Sequence, residues 1–198
     1  NKVTELYGDK SEIIVGDGAG IAGSASKLLK PGLDVDTWYL TEWAGVDPET
    51  GKAQWYKTDA NGERVKTFSY GDASKNQIAI DRYTPDFFGG FSTNLSWKNL
   101  DMSAVFGYSV GGKIYNYARA EYDSDGTYTD RNQMKLQDGW SRWEKPGDIA
   151  THPQGIYNNG TNSNKASSRF LEDGSYLKLR NLTIGYNLAL PEWYISNL

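Results

Sequence analysis

From Gly90 to Gly111 the chain alternates apolar and polar positions with period two. Phe91, Thr93, Leu95 and Trp97 alternate with Ser92, Asn94, Ser96 and Lys98. Lys98-Asn99-Leu100-Asp101 supplies a tight polar connection. A return run then sets Met102, Ala104, Phe106, Tyr108 and Val110 against Ser103, Val105, Gly107 and Ser109. Successive side chains of a strand point to opposite faces, so this reads as a hairpin with one apolar face and one small, polar face. A second hairpin is predicted from Val35–Ala44 and Lys52–Lys57, turned by Asp47-Pro48-Glu49-Thr50-Gly51, where Pro presets φ and Gly accepts a positive φ. A last long strand is predicted over Ser175–Leu188, ended by Leu190-Pro191. Its apolar phase slips at Arg180-Asn181, from Leu177 and Leu179 to Leu182, Ile184, Tyr186 and Leu188; one extra residue, a β-bulge, restores it. A sixth strand is expected at a terminus or within Leu6–Val15.

Three long polar segments separate these runs: Leu6–Asp34, Thr58–Phe88 and Gly112–Gly174. Loops of that length are unusual in compact domains. They are normal in membrane barrels, which have short turns on the periplasmic side and long loops outside. The turns at Asp47–Gly51, Asn99–Asp101 and Leu190–Ser196 are therefore expected on one side and the long segments on the other. A short helical turn is predicted at Leu136–Trp143.

Composition leaves two classes open. The 198 residues include 22 Gly, 14 Tyr and 7 Trp. No run approaches the ~18 apolar residues of a membrane helix. Membrane strands escape that test, because only alternate residues face lipid. The same composition fits a secreted β-sandwich that binds carbohydrate, or a glycoside hydrolase domain. Net charge is −4 with the signs interspersed, which gives no basic stripe for nucleic acid. The absence of cysteine removes disulfide, thiolate and zinc–thiolate chemistry. Asn1–Lys30 lacks the basic and apolar regions of a signal peptide.

Several elements, in order, carry a resemblance. Ala44-Gly45-Val46-Asp47-Pro48-Glu49-Thr50-Gly51, Thr84-Pro85-Asp86-Phe87-Phe88-Gly89-Gly90-Phe91, Trp97-Lys98-Asn99-Leu100-Asp101, Gly112-Lys113-Ile114-Tyr115-Asn116 and the stretch SSRFLEDGSYLKLRNLTIGYNL from Ser167 follow one another along the chain. They resemble the late barrel region of SusC/RagA-type TonB-dependent outer-membrane transporters. The resemblance implies an all-β fold: antiparallel strands from part of a transmembrane β-barrel, with long extracellular loops and short periplasmic turns. Residues 1–198 would be a partial barrel domain, without recognisable plug or TonB box, and further strands would follow Leu198. It implies import of oligosaccharides or peptides across the outer membrane of a Gram-negative, Bacteroidetes-like bacterium. The implied partners are a SusD-like surface lipoprotein, the TonB complex acting through the N-terminal part, outer-membrane lipid and the substrate, with no nucleic acid. Neither an enzyme activity nor a cofactor is implied.

Candidate chemistry is sparse. Tyr115, Tyr117, Tyr122, Trp140, Trp143 and Tyr157 are candidates for ligand or partner contact, since flat aromatic faces stack on sugar rings and aromatics are enriched at interfaces. Asp59-Ala60-Asn61-Gly62-Glu63 begins like a calcium loop but has no Glu at its twelfth position, so a hairpin turn is the expectation. His152, the only histidine, precedes Pro153 and is expected on an exposed loop; no nucleophile elbow accompanies it.

Overall fold

The computed structural model describes residues 1–16, 25–158 and 160–188. In chain order the strands are β1 (Ile13–Val15), β2 (Ser26–Leu29), β3 (Thr37–Leu40), β4 (Trp43–Val46), β5 (Ala53–Thr58) and β6 (Arg64–Thr67). They continue as β7 (Ile78–Arg82), β8 (Phe87–Trp97), β9 (Leu100–Val110), β10 (Lys113–Tyr115), β11 (Leu171–Asp173) and β12 (Tyr176–Tyr186). Two short helices, α1 (Tyr70–Ala73) and α2 (Tyr117–Tyr122), interrupt them. All strand pairs are antiparallel. The fold is therefore mostly antiparallel β, as expected, and the barrel is not closed by these strands. The chain divides into two compact units, one of Asn1–Thr84 with Lys113–Asp173, the other of Pro85–Gly112 with Gly174–Leu198.

The second unit is one sheet in the order β12-β9-β8. β8 and β9 pair from Phe87↔Val110 to Trp97↔Leu100, joined by Lys98-Asn99, with Lys98 at φ 53°. Directly paired residues share a face. Phe91 therefore joins Phe106 and Leu179, and Leu95 joins Met102 and Ile184. The register shifts between Leu179 and Asn181, which leaves Arg180 as the extra residue and returns Leu182 and Ile184 to the apolar face. The bulge lies where the slip in periodicity predicts it. Phe91 and Phe106 stack at 4.7 Å. Each strand has 11 residues, about 36 Å at ~3.3 Å per residue; tilted by ~45° it spans about the 25 Å apolar band of an outer-membrane barrel. That apolar face is uncovered: Leu95 is 56% and Ile184 64% exposed. Trp97 and Tyr186 mark one end, and Phe87 with Tyr108 the other.

The first unit has ordinary cores. One gathers Trp38, Leu40, Tyr115, Ala166 and Phe170 beneath the sheet β1-β2-β3-β7, with Ile80 and Leu171 against it. The other centres on Trp55, fully buried between Trp43 and Tyr70 in edge-to-face contacts of 5.6 and 5.5 Å. Burying an aromatic of this size contributes about 1.5–3 kcal/mol or more.

Several expectations are corrected here. The run Val35–Ala44 is two strands, β3 and β4, broken where Thr41 bridges to Ser167. The Asp47–Gly51 turn does not stand apart from the long segments. Trp143 Nε1 donates to Pro48 O at 2.7 Å, and a Cβ on Gly51 would stand 2.3 Å from the Trp143 ring. The three long polar segments carry β1, β2, β6, β7, β10, β11 and both helices. Leu136–Trp143 contains no helix, only a turn at Asp138-Gly139, where Trp140 N donates to Gln137 O. The helix lies upstream instead: Asn116 caps α2 by accepting from Arg119 N at 2.9 Å. Leu190–Ser196 lies outside the described residues.

Candidate functional site

The longest polar segment is organised by a buried ionic cluster. α2 presents Arg119, and Asp123 follows its last turn. Asp125, at φ 54°, lies one residue beyond Ser124. The returning limb supplies Arg142, His152, Ser163 and Arg169. Arg169 bonds Asp125 Oδ2 at 2.6 Å and Asp123 Oδ2 at 3.3 Å, while Arg142 bonds Asp125 Oδ1 at 2.7 Å. Ser163 donates to Asp125 at 2.7 Å, and Arg119 reaches Asp123 and Glu172, each at 3.3 Å. Three guanidinium groups thus face three carboxylates, and Asp123 and Asp125 have no solvent exposure. Burial alone would raise the Asp123 carboxyl. The hydrogen bond to His152 and the charges of Arg169, His152 and Arg119 outweigh it, and hold the group below its ordinary value of 3.8.

His152 is not on an exposed loop. It is 1% exposed, with Nε2 2.8 Å from Asp123 Oδ2 and Nδ1 2.8 Å from Thr151 Oγ1. The Thr151 hydroxyl is engaged with the backbone of Ser141, donating to its carbonyl and accepting from its N–H. With both ring nitrogens engaged inside the unit, this histidine clasps the segment around Asp123 to the one around Thr151. Sequence reasoning missed it because Asp123 lies 29 residues away and nothing local marks the pairing.

The six aromatic candidates separate by burial. Tyr115 is buried against Trp38, Tyr117 and Phe170 at 6.0, 4.7 and 6.1 Å, and burial pushes its phenol up. Trp143 is buried beside the Asp47–Gly51 turn. Tyr117 and Tyr122 are about half exposed, and Tyr157 is 83% exposed. Trp140 is partly buried, with the Arg119 guanidinium 4.4 Å over its ring and His152 4.9 Å away. Two recesses open beside these side chains. One, of about 490 Å³, is lined by Leu136, Trp140, Ser141, Arg142, Glu144 and Asp148. The other, of about 340 Å³, lies between α2 and residues 132–134 and includes Arg119, Tyr122 and Met134. Asp59 closes the turn between β5 and β6 by accepting from Asn61 N and Glu63 N at 2.9 and 2.8 Å, with Gly62 at φ 83°. That is the hairpin turn. No cluster of metal-ligating side chains occurs among the described residues.

No protein-family model matches the chain. Two curated relatives from Formosa agariphila do. TonB-dependent receptor P3 is 28% identical over 186 residues, 86% of this chain and 17% of its own length. TonB-dependent receptor P26 is 29% identical over 208 residues, 97% and 19%. Among solved structures, the RagAB peptide transporter aligns with TM-score 0.65 at 24% identity, over 98% of this chain and 20% of that one. The RagAB peptide importer in its open-open state aligns with TM-score 0.57 at 22% identity, over 98% and 19%. The chain is thus similar over most of its length to TonB-dependent receptors, and it shares its fold with part of the RagAB structures. It spans about a fifth of the relatives it matches. Those relatives carry the names of receptors rather than of enzymes. In this chain the sheet β12-β9-β8 supplies long strands of barrel dimensions, and the aromatic recesses belong to the unit built from the long loops.

Proposed function

We propose that this chain forms late barrel strands and external loops of a TonB-dependent importer in the outer membrane of a Bacteroidetes-like bacterium. Residues 1–198 then belong to the barrel domain, with the plug and TonB box elsewhere in the parent protein. The observation that carries this reading is the β12-β9-β8 sheet, whose three strands put every large aliphatic side chain but Val105 on one uncovered face. A soluble sheet covers such a face, whereas a barrel turns it to lipid. The loop unit meets a SusD-like surface lipoprotein and the incoming oligomer. Tyr117, Tyr122, Trp140 and Tyr157 are its accessible contact residues, with Tyr122 and Trp140 in the two recesses. Oligosaccharide is favoured over peptide as the substrate, because the larger recess joins an indole ring to polar Ser141, Arg142, Glu144 and Asp148.

Orientation tests the reading. Single cysteines replace Asn99, in the tight turn, and Ile149, in the loop unit, of the full-length protein in cells. An impermeant maleimide is expected to label Ile149→Cys and to spare Asn99→Cys until the outer membrane is opened. Labelling of Asn99→Cys alone in intact cells overturns the reading.

A further inference from the structure

The polar face of the β12-β9-β8 sheet is not uniform. Over most of its length it carries Ser92, Asn94, Ser96, Ser103 and Thr183. Near the end where β8 begins, the register places Phe88, Ser109 and Tyr176 in one row across the three strands. Phe88 is 77% exposed, and its ring lies on the face opposite the apolar one. In the next row Gly90 pairs with Gly107, and Gly107 with Lys178.

This glycine pair makes a shallow trough. A Cβ on Gly90 would stand 2.7 Å from the Phe106 carbonyl oxygen. One on Gly107 would stand 2.5 Å from Arg180 Nε. Arg180 is the bulge residue, so the irregularity that keeps the leucines in phase also lays its guanidinium over Gly107, whose partner across the ladder is Lys178. Both side chains are exposed, and neither has a carboxylate within salt-bridge distance among the described residues. Asp101, the acidic residue on this face, lies at the opposite end of β9 and accepts from Asn187. Two cations from neighbouring positions of β12, without a carboxylate partner among the described residues and close to the row that holds Phe88 and Tyr176, match a ligand that carries an anionic group on a ring or chain with an apolar side. A guanidinium beside an ammonium binds a carboxylate or sulfate through charge-assisted hydrogen bonds.

We propose that Lys178 and Arg180, with Phe88 and Tyr176, form an anion-binding subsite on the inner wall of the barrel, selecting an imported oligomer that bears acidic groups. This rests on the importer reading and deepens it: the substrate class is anionic. The glycines keep the trough open, and the bulge aims the guanidinium into it.

Titration of the purified full-length transporter with four probes tests the subsite: tetragalacturonate, tetraglutamate, inorganic sulfate and neutral maltotetraose. At least one anionic probe is expected to bind more tightly than maltotetraose, with affinity falling as salt rises. Lys178→Gln with Arg180→Gln is expected to weaken that probe by roughly tenfold or more, as loss of charge-assisted hydrogen bonds does, and to flatten its salt dependence. Lys178→Arg with Arg180→Lys should retain it. The anionic probe that responds identifies sugar carboxylate, peptide carboxylate or sulfate as the source. Equal binding of neutral and anionic probes overturns the subsite, as does a double-Gln variant with unchanged anion affinity. A double-Gln variant that instead raises pore conductance at unchanged anion affinity shows the cations pairing with a plug carboxylate, and also overturns it. Heat-modifiable mobility confirms assembly of each variant. Failure of the parent protein to assemble in the outer membrane or to import any oligomer defeats the importer reading, whereas correct assembly and import without anion preference defeats the subsite alone.

Discussion

The two units of this molecule use the same alternation for opposite ends. In the loop unit, β3 turns Leu40 inward and β5 turns Trp55 inward, and both are fully buried under chain from distant segments. In the other unit, β8, β9 and β12 repeat the pattern over 11 residues each, and the apolar side stays bare. Period two says which residues share a face; what covers that face is decided elsewhere. Short strands with polar segments long enough to fold back cover themselves. Long strands joined by a two-residue turn have nothing to fold back, and their apolar side suits a hydrocarbon solvent.

The contrast is broken most severely at the ionic cluster. Arg169→Met removes the buried guanidinium that hydrogen-bonds both Asp123 and Asp125, and removing one member of a buried charge network costs about 3–5 kcal/mol. The loop unit should become protease-sensitive on cells while the barrel still assembles, which limited proteolysis beside heat-modifiable mobility will report. Loss of barrel assembly would mean that the two units fold as one.

Next is the bare face. Leu95→Arg puts a charge where lipid is expected, at a cost of roughly 2–4 kcal/mol at the bilayer midplane. Ser96→Arg, one residue on, points to the polar face. Membrane fractions should contain little assembled Leu95→Arg transporter and near-normal amounts of Ser96→Arg. The reverse result inverts the faces, and indifference to both removes the hairpin from the membrane.

The smallest expected effect is acid sensitivity of the loop unit alone. The folded Asp123 carboxyl sits below its ordinary value of 3.8. Its contribution is complete above the unfolded value and is lost as pH falls through the folded one. Protease resistance of the loops should therefore decline below about pH 4. Asp123→Asn should be less resistant at neutral pH and should show a shallower decline in acid. An unchanged acid profile in Asp123→Asn would assign the sensitivity to other carboxylates.

What the sequence made legible follows from range. The β8–β9 pairing and the Arg180 bulge are written in neighbouring residues, because a strand's faces repeat every second position. The resemblance pointed to the same strands. The loop unit was not legible, because its order comes from polar groups pairing over long separations. Asp123, Asp125, Ser163 and Arg169 read as solvated loop residues until they are seen to satisfy one another. His152 misled for the same reason. Trp143 looked like a surface platform because nothing near it predicts Gly51, whose missing side chain leaves room for the indole.

The clasp made by Asp123, His152 and Arg169 also bears on how such a protein diversifies. It ties residues 123–125 to residues 152–169, so the chain between them hangs from a fixed frame. Substitutions at Asn132, Glu144 or Ile149 can alter what the outer surface offers without disturbing the frame that holds it. Inheritance of shape is thereby separated from inheritance of taste. Exposed residues of this segment can vary while a handful of interior charges keeps the architecture of the loop unit unchanged.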